Sequence, residues 1–420
     1  MSSPVVITPL RRPVEAVVRP PGSKSFTNRA LVTAALASGG VSRLSAPLEA
    51  GDTMAMREGL GRFGVSIDDS DDPWLVLGGG GKLDCPPGPI DAAESGTTAR
   101  FLAAIAPLAT GTVEIIGRGR LPQRPFRELA DALSSLGVEV VASSGGLPLR
   151  ITGKGELPGG IVAVDPSRSS QFVSALLLAA PLANDPLLIE MTGTPVSAPY
   201  LDSTVEVMSV FGGTVERRGL SFQVANTGYR ATHYEIEADA SAAAYPLVAA
   251  AITGGQVGIE GIPQRSTQPD LILVDVLAEM GCEVRRGEVR LELAGPERLK
   301  PVDVEMERAP DAVLALAVAC LFADGASRIR NVGNLRLKES DRLAAMREEL
   351  TRVGGAAQVE GNDLVVVPGD LRAAIVNSHG DHRIAMAMAL VGLRQPGIEI
   401  ADPAVVEKTW PRYFEVLRSL

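Results

Sequence analysis

The chain has 420 residues, of which 45% are hydrophobic and only 4% aromatic, and its formal net charge is −10 at pH 7. This length exceeds the roughly 250–300 residues at which a single core stops growing, so we expect two domains. The negative charge and the scarcity of aromatic residues argue against binding to nucleic acid or to acidic membranes, so any anion site should be a local positive patch.

The first 20 residues contain two strand-like runs, at 4–9 and 14–19, with no helix before them. They lack the apolar core of a signal peptide, and no run of 18 apolar residues follows that could span a membrane. Cys85, Cys282 and Cys320 are too few and too scattered for a disulfide framework, and the last two lie in apolar patterns that favour packing. We therefore expect a cytoplasmic protein.

A helix with a basic N-terminus is predicted within residues 21–43. Lys24 and Arg29 lie in a small polar run that leads into an apolar helical pattern, which ends at Gly39-Gly40. The N-terminus of a helix carries unpaired N–H groups and a partial positive charge. This segment is therefore predicted to bind an anion.

The same kind of segment occurs six times. Each copy has a polar start and an alanine- and leucine-rich continuation, and the starts at 23, 96, 169, 241, 310 and 381 lie about 70 residues apart. A short strand-like run precedes the copies, as at 14–18 and 234–237. A second helix ends in a hydrophobic residue and a glycine at Phe63-Gly64, Leu136-Gly137, Phe211-Gly212, Met280-Gly281 and Val353-Gly354. The chain is therefore predicted to be α/β, with six βαβαββ repeats, three in each domain.

The sixth repeat ends early, because the chain stops after a helix at 413–420. We expect the runs at 4–9 and 14–19 to complete it, so that the chain starts in the C-terminal domain, leaves near residue 20 and returns near residue 237. Residues 1–20 with 237–420 would form one domain and residues 21–236 the other. The two crossovers would act as a hinge, and a cleft between the domains is the expected binding site.

Two glycine- and lysine-containing segments resemble phosphate loops only superficially. In Gly78–Lys82 the first glycine of a Walker A motif would fall on Val76, and in Gly22–Ser25 it would fall on Val18. The sequence therefore excludes a P-loop NTPase, and we expect a hairpin turn at 78–82.

The second and third copies carry groups that suit a phosphate or a carboxylate. Gly96 lets a ligand approach the backbone closely. The loop that follows is arginine-rich, and its prolines favour a rigid clamp formed by Arg118, Arg120, Arg124 and Arg127. Hydroxyl and amide side chains surround the start of the third copy and a later turn, at Ser169, Ser170, Gln171, Ser197 and Tyr200. The fourth copy has no basic residue at its start, and we assign it a structural role.

The fifth and sixth copies are rich in charge. Asp311 follows Pro310 at a helix start, where an N-cap is the simplest interpretation. His379 and His382 open the sixth copy, but no cysteine or carboxylate ligand set accompanies them in the sequence, so a metal site is not expected.

Lysine is rare, since only six of the 40 basic residues are lysine. Lys24, Lys338 and Lys408 nevertheless all fall in candidate site segments. A compact ammonium group can give up a proton, which arginine cannot do at ordinary pH, so these lysines are candidates for proton transfer.

Seven segments together indicate a known family. PGSKSFTNRAL, SGTTAR, Arg124-Pro125, SRSSQF, KESDRL, DHR and EKTWPRYF occur in this order from about residue 20 to the C-terminus. They resemble those of the 5-enolpyruvylshikimate-3-phosphate (EPSP) synthases, a family of enolpyruvyl transferases. The resemblance implies a two-domain inside-out α/β barrel with a double crossover, and the transfer of the enolpyruvyl group of phosphoenolpyruvate to the 5-hydroxyl of shikimate-3-phosphate in aromatic amino-acid biosynthesis. It implies no cofactor and no metal.

The resemblance also implies which residues bind each substrate. Shikimate-3-phosphate would contact Lys24, Ser25, Arg29, Ser169, Ser170, Gln171, Ser197, Tyr200, Asp311, Asn334 and Lys338. Phosphoenolpyruvate would contact Lys24, Gly96, Arg124, Gln171, Arg342, Arg383 and Lys408. Because the two substrates are polyanions that repel each other, domain closure would have to surround both with cations and helix N-termini.

The reaction adds the 5-hydroxyl to C2 of phosphoenolpyruvate and then eliminates phosphate, so it needs a base for the hydroxyl and an acid for the methylene carbon. We predict Asp311 as the base and Glu339 with Lys24 in the proton transfers at the methylene, while His382 orients or assists. Apart from these small-molecule substrates we expect no partner, and we expect a monomer.

Glu94 departs from the family pattern, because many members have asparagine at this position. A carboxylate near bound phosphoenolpyruvate would weaken its affinity unless Arg100 or Arg124 neutralises it. Gly96 leaves room for a compact inhibitor, so inhibition by glyphosate is predicted.

Two other functions remain open at this point. UDP-N-acetylglucosamine enolpyruvyl transferases share the fold and the phosphoenolpyruvate residues, but they usually carry a cysteine in the loop that corresponds to residues 117–126, which has none here. A non-catalytic relative that keeps the anion site is the second alternative. The presence of Lys24, Asp311, Glu339 and Lys408 argues against it.

Overall fold

Two compact units make up the chain in a computed structural model that describes residues 3–288 and 290–420. Unit 1 combines the segment that ends at Pro21 with Glu237–Leu420, and unit 2 is Gly22–Ile236. Each unit has its own core of buried apolar side chains. Among the described residues, no helix has both the length and the apolar character needed to cross a membrane.

The elements follow the predicted repeat. The α-helices are α1 (Lys24–Leu36), α2 (Gly51–Arg62), α3 (Gly96–Ile105), α4 (Arg127–Ser135), α5 (Gln171–Ala179), α6 (Pro199–Val210), α7 (Ala240–Thr253), α8 (Ile272–Glu279), α9 (Val313–Leu321), α10 (Arg342–Arg352), α11 (His382–Ala389) and α12 (Tyr413–Ser419). The strands are β1 (Val5–Val6), β2 (Glu15–Val18), β3 (Ala37–Ser38), β4 (Val41–Ser45), β5 (Ser66–Asp68), β6 (Trp74–Leu77), β7 (Ile90–Asp91), β8 (Thr110–Ile116), β9 (Glu139–Ser143), β10 (Gly146–Lys154), β11 (Gly160–Val164), β12 (Leu187–Met191), β13 (Val215–Arg218), β14 (Ser221–Val224), β15 (Tyr229–Arg230), β16 (His233–Glu235), β17 (Gln256–Glu260), β18 (Glu283–Arg286), β19 (Arg290–Ala294), β20 (Asp303–Glu305), β21 (Ser327–Arg330), β22 (Ala356–Glu360), β23 (Asp363–Val367), β24 (Ala374–Val376) and β25 (Ile398–Ile400).

Five of the sheets repeat one strand order. The first strand pairs in parallel with the second, and the second pairs with a closing antiparallel hairpin, as in β7-β8-β10-β9, β11-β12-β14-β13 and β20-β21-β23-β22. The sixth repeat has three strands, with β24 parallel to β25 and β1 antiparallel to β25. This arrangement is the predicted βαβαββ repeat, with the last copy shortened.

The strands next to the two crossovers pair within the units that contain them. β2 pairs in parallel with β17 of the fourth repeat, and β16 pairs in parallel with β4 of the first repeat. The prediction that both N-terminal runs complete the sixth repeat is therefore wrong for residues 14–19, and only β1 does so. The reason is that the chain leaves unit 1 at Pro21, so β2 stays in the unit where it begins and the first repeat takes its first strand from β16.

The first helix of each repeat is buried on all sides, as its alanine- and leucine-rich sequence requires. In unit 2 these helices are α1, α3 and α5, which pack on one another, and in unit 1 they are α7, α9 and α11. Helices such as α2, α4 and α10 keep an exposed face, and the strands alternate between exposed and buried residues. The helix starts lie within three residues of the predicted positions.

The predicted helix ends are confirmed. Gly64, Gly137, Gly212, Gly281 and Gly354 follow the second helices with φ between 84° and 106°, the left-handed region in which a glycine closes a helix most cheaply. The glycine run at 78–81 forms a turn, but the predicted hairpin is wrong, because this turn follows the β5–β6 hairpin and leads to a bridge between Leu83 and Ala109.

The cysteines are all free, and Cys282 and Cys320 are buried as expected from their apolar patterns. Burial raises the pKa of both thiols to about 12, so neither is a reactive thiolate near neutral pH.

Candidate active site

The candidate residues divide into two groups, one in each unit, and each group is described by itself. Unit 2 contains Lys24, Ser25, Arg29, Gly96, Arg124, Ser169, Ser170, Gln171, Ser197 and Tyr200. Unit 1 contains Asp311, Asn334, Lys338, Glu339, Arg342, His382, Arg383 and Lys408.

Arg29 is a buried cation in unit 2. Its guanidinium donates to Thr204 Oγ1 at 2.8 Å and to the carbonyl oxygens of Ser25 at 2.9 Å and Tyr200 at 3.1 Å. It also lies 5.4 Å from the centroid of the Phe101 ring. Burial lowers the pKa of Arg29 to about 10. A buried guanidinium that donates to neutral oxygens is a good site for an anionic ligand, which would restore the charge balance.

Lys24 is the first residue of α1, and its Nζ lies 3.2 Å from Asp52 Oδ2 near the start of α2. Asp52 is itself buried. Ser23 takes the N-cap position of α1 without a side-chain hydrogen bond to the helix, so its hydroxyl is not used as a cap. The helix start predicted to bind an anion therefore presents Lys24 beside a carboxylate, which the sequence did not indicate.

The starts of α3 and α5 meet through Gln171. Its Nε2 donates to Thr97 Oγ1 at 3.1 Å, and its Oε1 accepts from Arg100 Nη1 at 2.5 Å. Arg124 joins the same group, since a Cβ added to Gly96 would lie 2.9 Å from Arg124 Nη1. The structure thus brings Gly96, Arg124 and Gln171 together, as expected of residues that share a ligand.

Candidate hydroxyl side chains lie at the starts of α5 and α6. Ser170 occupies the N-cap position of α5 without a side-chain cap bond, and Ser169 Oγ accepts a hydrogen bond from the Gln171 N–H at 3.3 Å. Ser197 is buried with φ 53°, a conformation that costs energy for a residue with a Cβ and that clusters at functional sites. Tyr200 follows within α6.

Glu94 lies against the arginine-rich loop, since a Cβ added to Gly119 would be 2.6 Å from Glu94 Oε1. Its effect on phosphoenolpyruvate affinity stays a prediction.

Arg342 is the centre of the group in unit 1. It is only 1% exposed, and it donates to Asp381 Oδ2 at 2.7 Å, Asp311 Oδ1 at 2.9 Å and Glu339 Oε2 at 3.0 Å. Burial alone would lower the pKa of Arg342, but the negative charges of Asp381, Glu339 and Asp311 outweigh it and raise the pKa above its ordinary value. The guanidinium stays charged and holds three carboxylates in place.

Asp311 bridges two arginines. Its Oδ2 accepts from Arg383 Nη2 at 3.0 Å, and Lys338 Nζ lies 4.0 Å from its Oδ1. The N-cap interpretation of Asp311 is wrong, because α9 begins at Val313 with Ala312 as its N-cap. The carboxylate is used for these charge contacts and not for capping.

The remaining candidates of unit 1 lie in α11 and in two 3-10 segments. His382 is fully buried, with Nδ1 3.7 Å from Asp381 Oδ1. Lys408 ends a 3-10 segment, Pro403–Lys408, and is half-buried, as is Asn334 in the 3-10 segment Gly333–Leu337.

Asp270 and Ser241 were missed by the sequence analysis. Ser241 Oγ donates to the buried Asp270 Oδ2 at 2.8 Å. Burial raises the pKa of the Asp270 carboxyl to about 6, with the charge of Asp311 as the next cause, while Arg383 acts against the rise. The start of the fourth copy therefore borders the charged group and is not purely structural. The polar turn Gln268-Pro269-Asp270 was the available signal in the sequence.

His379 does have carboxylate neighbours, contrary to the expectation from sequence. Glu348, Glu349 and His379 each offer a ligand atom within 4.8 Å of the others, and His379 Nε2 lies 2.9 Å from Glu349 Oε1. Arg352 donates to Glu349 at 2.9 Å and to Glu348 at 2.7 Å. A single guanidinium thus donates to both carboxylates.

Comparison with known proteins gives one consistent result. The family model of EPSP synthase (3-phosphoshikimate 1-carboxyvinyltransferase) matches residues 10–417. A 3-phosphoshikimate 1-carboxyvinyltransferase of Photobacterium profundum is 41% identical over 97% of this chain and 96% of that relative. One of Rhizobium leguminosarum is 38% identical over 99% of this chain and 97% of that relative.

Solved structures agree with this result. An EPSP synthase from Acinetobacter baumannii superposes with a TM-score of 0.82 at 25% identity, over 99% of this chain and 97% of that one. The enolpyruvyl transferase NikO from Streptomyces tendae superposes with a TM-score of 0.77 at 18% identity, over 99% and 96% of the two chains, which supports the fold alone. The predicted enolpyruvyl transferase fold is confirmed.

Proposed function

The chain belongs to the EPSP synthase family, and from this premise we propose which of its residues carry out the family's reaction. It transfers the enolpyruvyl group of phosphoenolpyruvate to the 5-hydroxyl of shikimate-3-phosphate and releases phosphate. The single observation that carries our assignment is the convergence of Arg342 and Arg383 on Asp311, at 2.9 and 3.0 Å.

In the proposed mechanism Asp311 is the base that takes the proton of the 5-hydroxyl as this oxygen attacks C2 of phosphoenolpyruvate. Glu339 and Lys24 serve the proton transfer to and from the methylene carbon. Phosphate then leaves the tetrahedral intermediate. Arg342 and Arg383 both donate to Asp311, so two hydrogen bonds hold its carboxylate in a fixed orientation.

The proposal assigns a set of binding residues to each substrate. Arg29, Ser169, Ser170, Gln171, Ser197 and Tyr200 of unit 2 hold shikimate-3-phosphate together with Ser25, Lys24, Asn334, Lys338 and Asp311. Phosphoenolpyruvate is held by Lys24, Gly96, Arg124, Gln171, Arg342, Arg383 and Lys408. His382 acts as a positioning residue, since it is fully buried next to Asp381.

We further propose a cytoplasmic monomer that does not bind nucleic acid. The net charge of −10 supports the last of these, because the chain as a whole repels polyanions.

Phosphate release tests the function. The purified protein is mixed with phosphoenolpyruvate and either shikimate-3-phosphate or UDP-N-acetylglucosamine, and inorganic phosphate is followed. Release should require shikimate-3-phosphate, and Asp311→Asn should lower kcat about 10²–10⁴-fold, the usual contribution of a general base. Asp303→Asn is the matched control, because Asp303 pairs with exposed Arg330 and should turn over normally.

Release with the nucleotide sugar instead would reassign the substrate to the sister family. Release with neither acceptor from folded protein would favour the non-catalytic alternative. Asp311→Asn with at least a tenth of the normal kcat would remove Asp311 as the base.

A further inference from the structure

Arg100 lies in the interior of unit 2, at the end of the first turn of α3. Its side chain is 1% exposed and is enclosed by two aromatic rings, with its guanidinium carbon 4.8 Å from the centroid of Phe126 and 5.3 Å from that of Phe172. Stacking on aromatic faces holds a planar guanidinium in a fixed orientation. The cation is therefore fixed in place behind the candidate binding residues.

The donors of Arg100 point to three segments that carry those residues. Nη1 donates to Gln171 Oε1 at 2.5 Å and lies 3.5 Å from the Gly96 carbonyl oxygen. Nη2 donates at 2.9 Å to the carbonyl oxygen of Pro125, which follows Arg124. One buried side chain thus connects the start of α3, the start of α5 and the arginine-rich loop.

The contact with Gln171 fixes which way its amide points. Arginine has N–H donors and no acceptor, so the amide atom facing Arg100 must be the oxygen. The amide nitrogen of Gln171 is then directed to the other side, where one of its hydrogens goes to Thr97 Oγ1 at 3.1 Å. A flipped amide would place two donors against each other. The Gln171 amide therefore keeps one further N–H donor, which suits an anionic ligand.

We propose that Arg100 is a positioning residue that sets the amide of Gln171 as a hydrogen-bond donor toward the bound substrates. The inference rests on the proposed function, in which Gln171 contacts both shikimate-3-phosphate and phosphoenolpyruvate. Arg100 acts through Gln171, because its own guanidinium is buried behind the site.

A double-mutant cycle on the full-length enzyme tests the inference. Steady-state kcat and KM for both substrates are measured for wild type, Arg100→Met, Gln171→Met and the double variant, with thermal melting as a check on folding. Methionine fills the slot between the two phenylalanine rings but cannot donate. Each single variant should raise KM for phosphoenolpyruvate. The fold-loss of kcat/KM in the double variant should be smaller than the product of the two single fold-losses by a factor of at least about five. Coupled residues deviate from additivity by about 2- to 150-fold.

Arg394→Met is the control. Arg394 makes the same two kinds of contact away from the candidate residues, since it donates to the Ile252 carbonyl at 2.8 Å and lies 5.4 Å from the Phe322 ring centroid. It should leave both KM values unchanged. If Arg100→Met does not fold, Arg100→Lys replaces it in the same cycle, because lysine keeps the charge and a donor but loses the planar fork.

The outcomes separate the inference from the function on which it rests. If the kcat/KM loss of the double variant equals the product of the two single losses to within twofold, Arg100 does not act through Gln171. The inference then fails while the proposed function stands. A lower melting temperature of Arg100→Met without a change in KM would also overturn the inference, because it would show a purely structural role. If wild type turns over but Gln171→Met keeps normal kinetics, the assignment of Gln171 and the inference fail together. Without wild-type turnover, the function itself fails.

Discussion

Two buried arginines show how partners decide what a cation can do. Arg29 donates to neutral oxygens, and its pKa falls to about 10, whereas Arg342 is surrounded by three carboxylates and its pKa rises. In the proposed binding scheme, shikimate-3-phosphate would give Arg29 a counter-charge that its neutral partners do not supply. Phosphoenolpyruvate at Arg342 would have to compete with, or displace, the carboxylates already bound there. We therefore expect binding at Arg29 to improve its charge balance, and binding at Arg342 to require a rearrangement of existing ion pairs.

The raised pKa of Asp270 leads to a prediction about how stability depends on pH. Its pKa is raised by burial to about 6, above the ordinary 3.8, so the folded protein binds its proton more tightly than the unfolded chain does. The resulting stability is fully present below pH 4 and is lost as pH rises through 6. Asp270→Asn avoids this loss while keeping an acceptor for Ser241 Oγ. Relative to wild type it should gain up to about 3 kcal/mol between pH 4 and pH 7.5, measured by urea unfolding.

Asp275→Asn is the control for this pH series, since the Asp275 side chain is 66% exposed on α8. A stability difference between Asp270→Asn and wild type that stays constant from pH 4 to pH 7.5 would show that Asp270 does not titrate in this range.

At the scale of the element, the second helices of the first five repeats share one kind of C-terminus. A glycine in the left-handed conformation follows α2, α4, α6, α8 and α10. Glycine adopts this conformation without the energetic cost of roughly 1–2 kcal/mol that applies to other residues. Gly137 has open space where a Cβ would be, whereas a Cβ on Gly354 would clash with the Asp370 carbonyl oxygen. The two positions share the conformation and differ in packing.

Gly137→Ala should therefore destabilise the protein by about 1–2 kcal/mol through backbone strain alone. Gly354→Ala should cost more, because the clash is with backbone. Gly61→Ala is the opposite control: Gly61 lies inside α2 with open space around it, so alanine should stabilise by about 0.5–1 kcal/mol. Urea midpoints of the three variants measure this, and equal losses at Gly137 and Gly354 would contradict the packing argument.

Local patterns allowed most elements to be predicted, while tertiary pairings limited the rest. The starts of α1, α3, α5, α7, α9 and α11 follow from polar starts and apolar runs, which are properties of neighbouring residues. The partner of β2 does not, because a parallel strand pairs with a segment more than 200 residues away. Likewise Asp311 looks like a cap in sequence, and only the fold brings Arg342 and Arg383 to it. Contacts join some candidates within each unit, such as Arg342 with Asp311 and Glu339, whereas Asp52 and Asp270 were found only from the structure.

At the scale of the whole molecule, unit 2 is one continuous segment set within a discontinuous unit 1. All four strands of the first sheet of unit 2 lie within residues 22–236, because β16 pairs with β4. Two sheets of unit 1, in contrast, include β1 and β2 from the N-terminal segment. Residues 22–236 should therefore fold alone, and residues 237–420 should not, since two of their sheets lack a strand.

A permuted fragment tests this division. Residues 237–420 joined by a flexible glycine-serine linker to residues 1–21 should restore cooperative thermal unfolding, measured by circular dichroism, that residues 237–420 lack. The matched control carries the same linker and residues 1–12, which keep β1 but omit β2. Cooperative unfolding of residues 237–420 without any added segment would contradict the predicted dependence.

The discontinuity of unit 1 also determines when its N-terminal strands can pair during synthesis. β2 is made about 240 residues before its partner β17, and β1 about 390 residues before its partner β25. At roughly 5–20 residues per second, β1 waits about 20–80 seconds for its neighbour on the ribosome. Unit 2 can be finished and folded during that interval. The N-terminal strands are thus the part of the chain with the longest exposure before pairing, and the part for which a nascent-chain chaperone would have most time to bind.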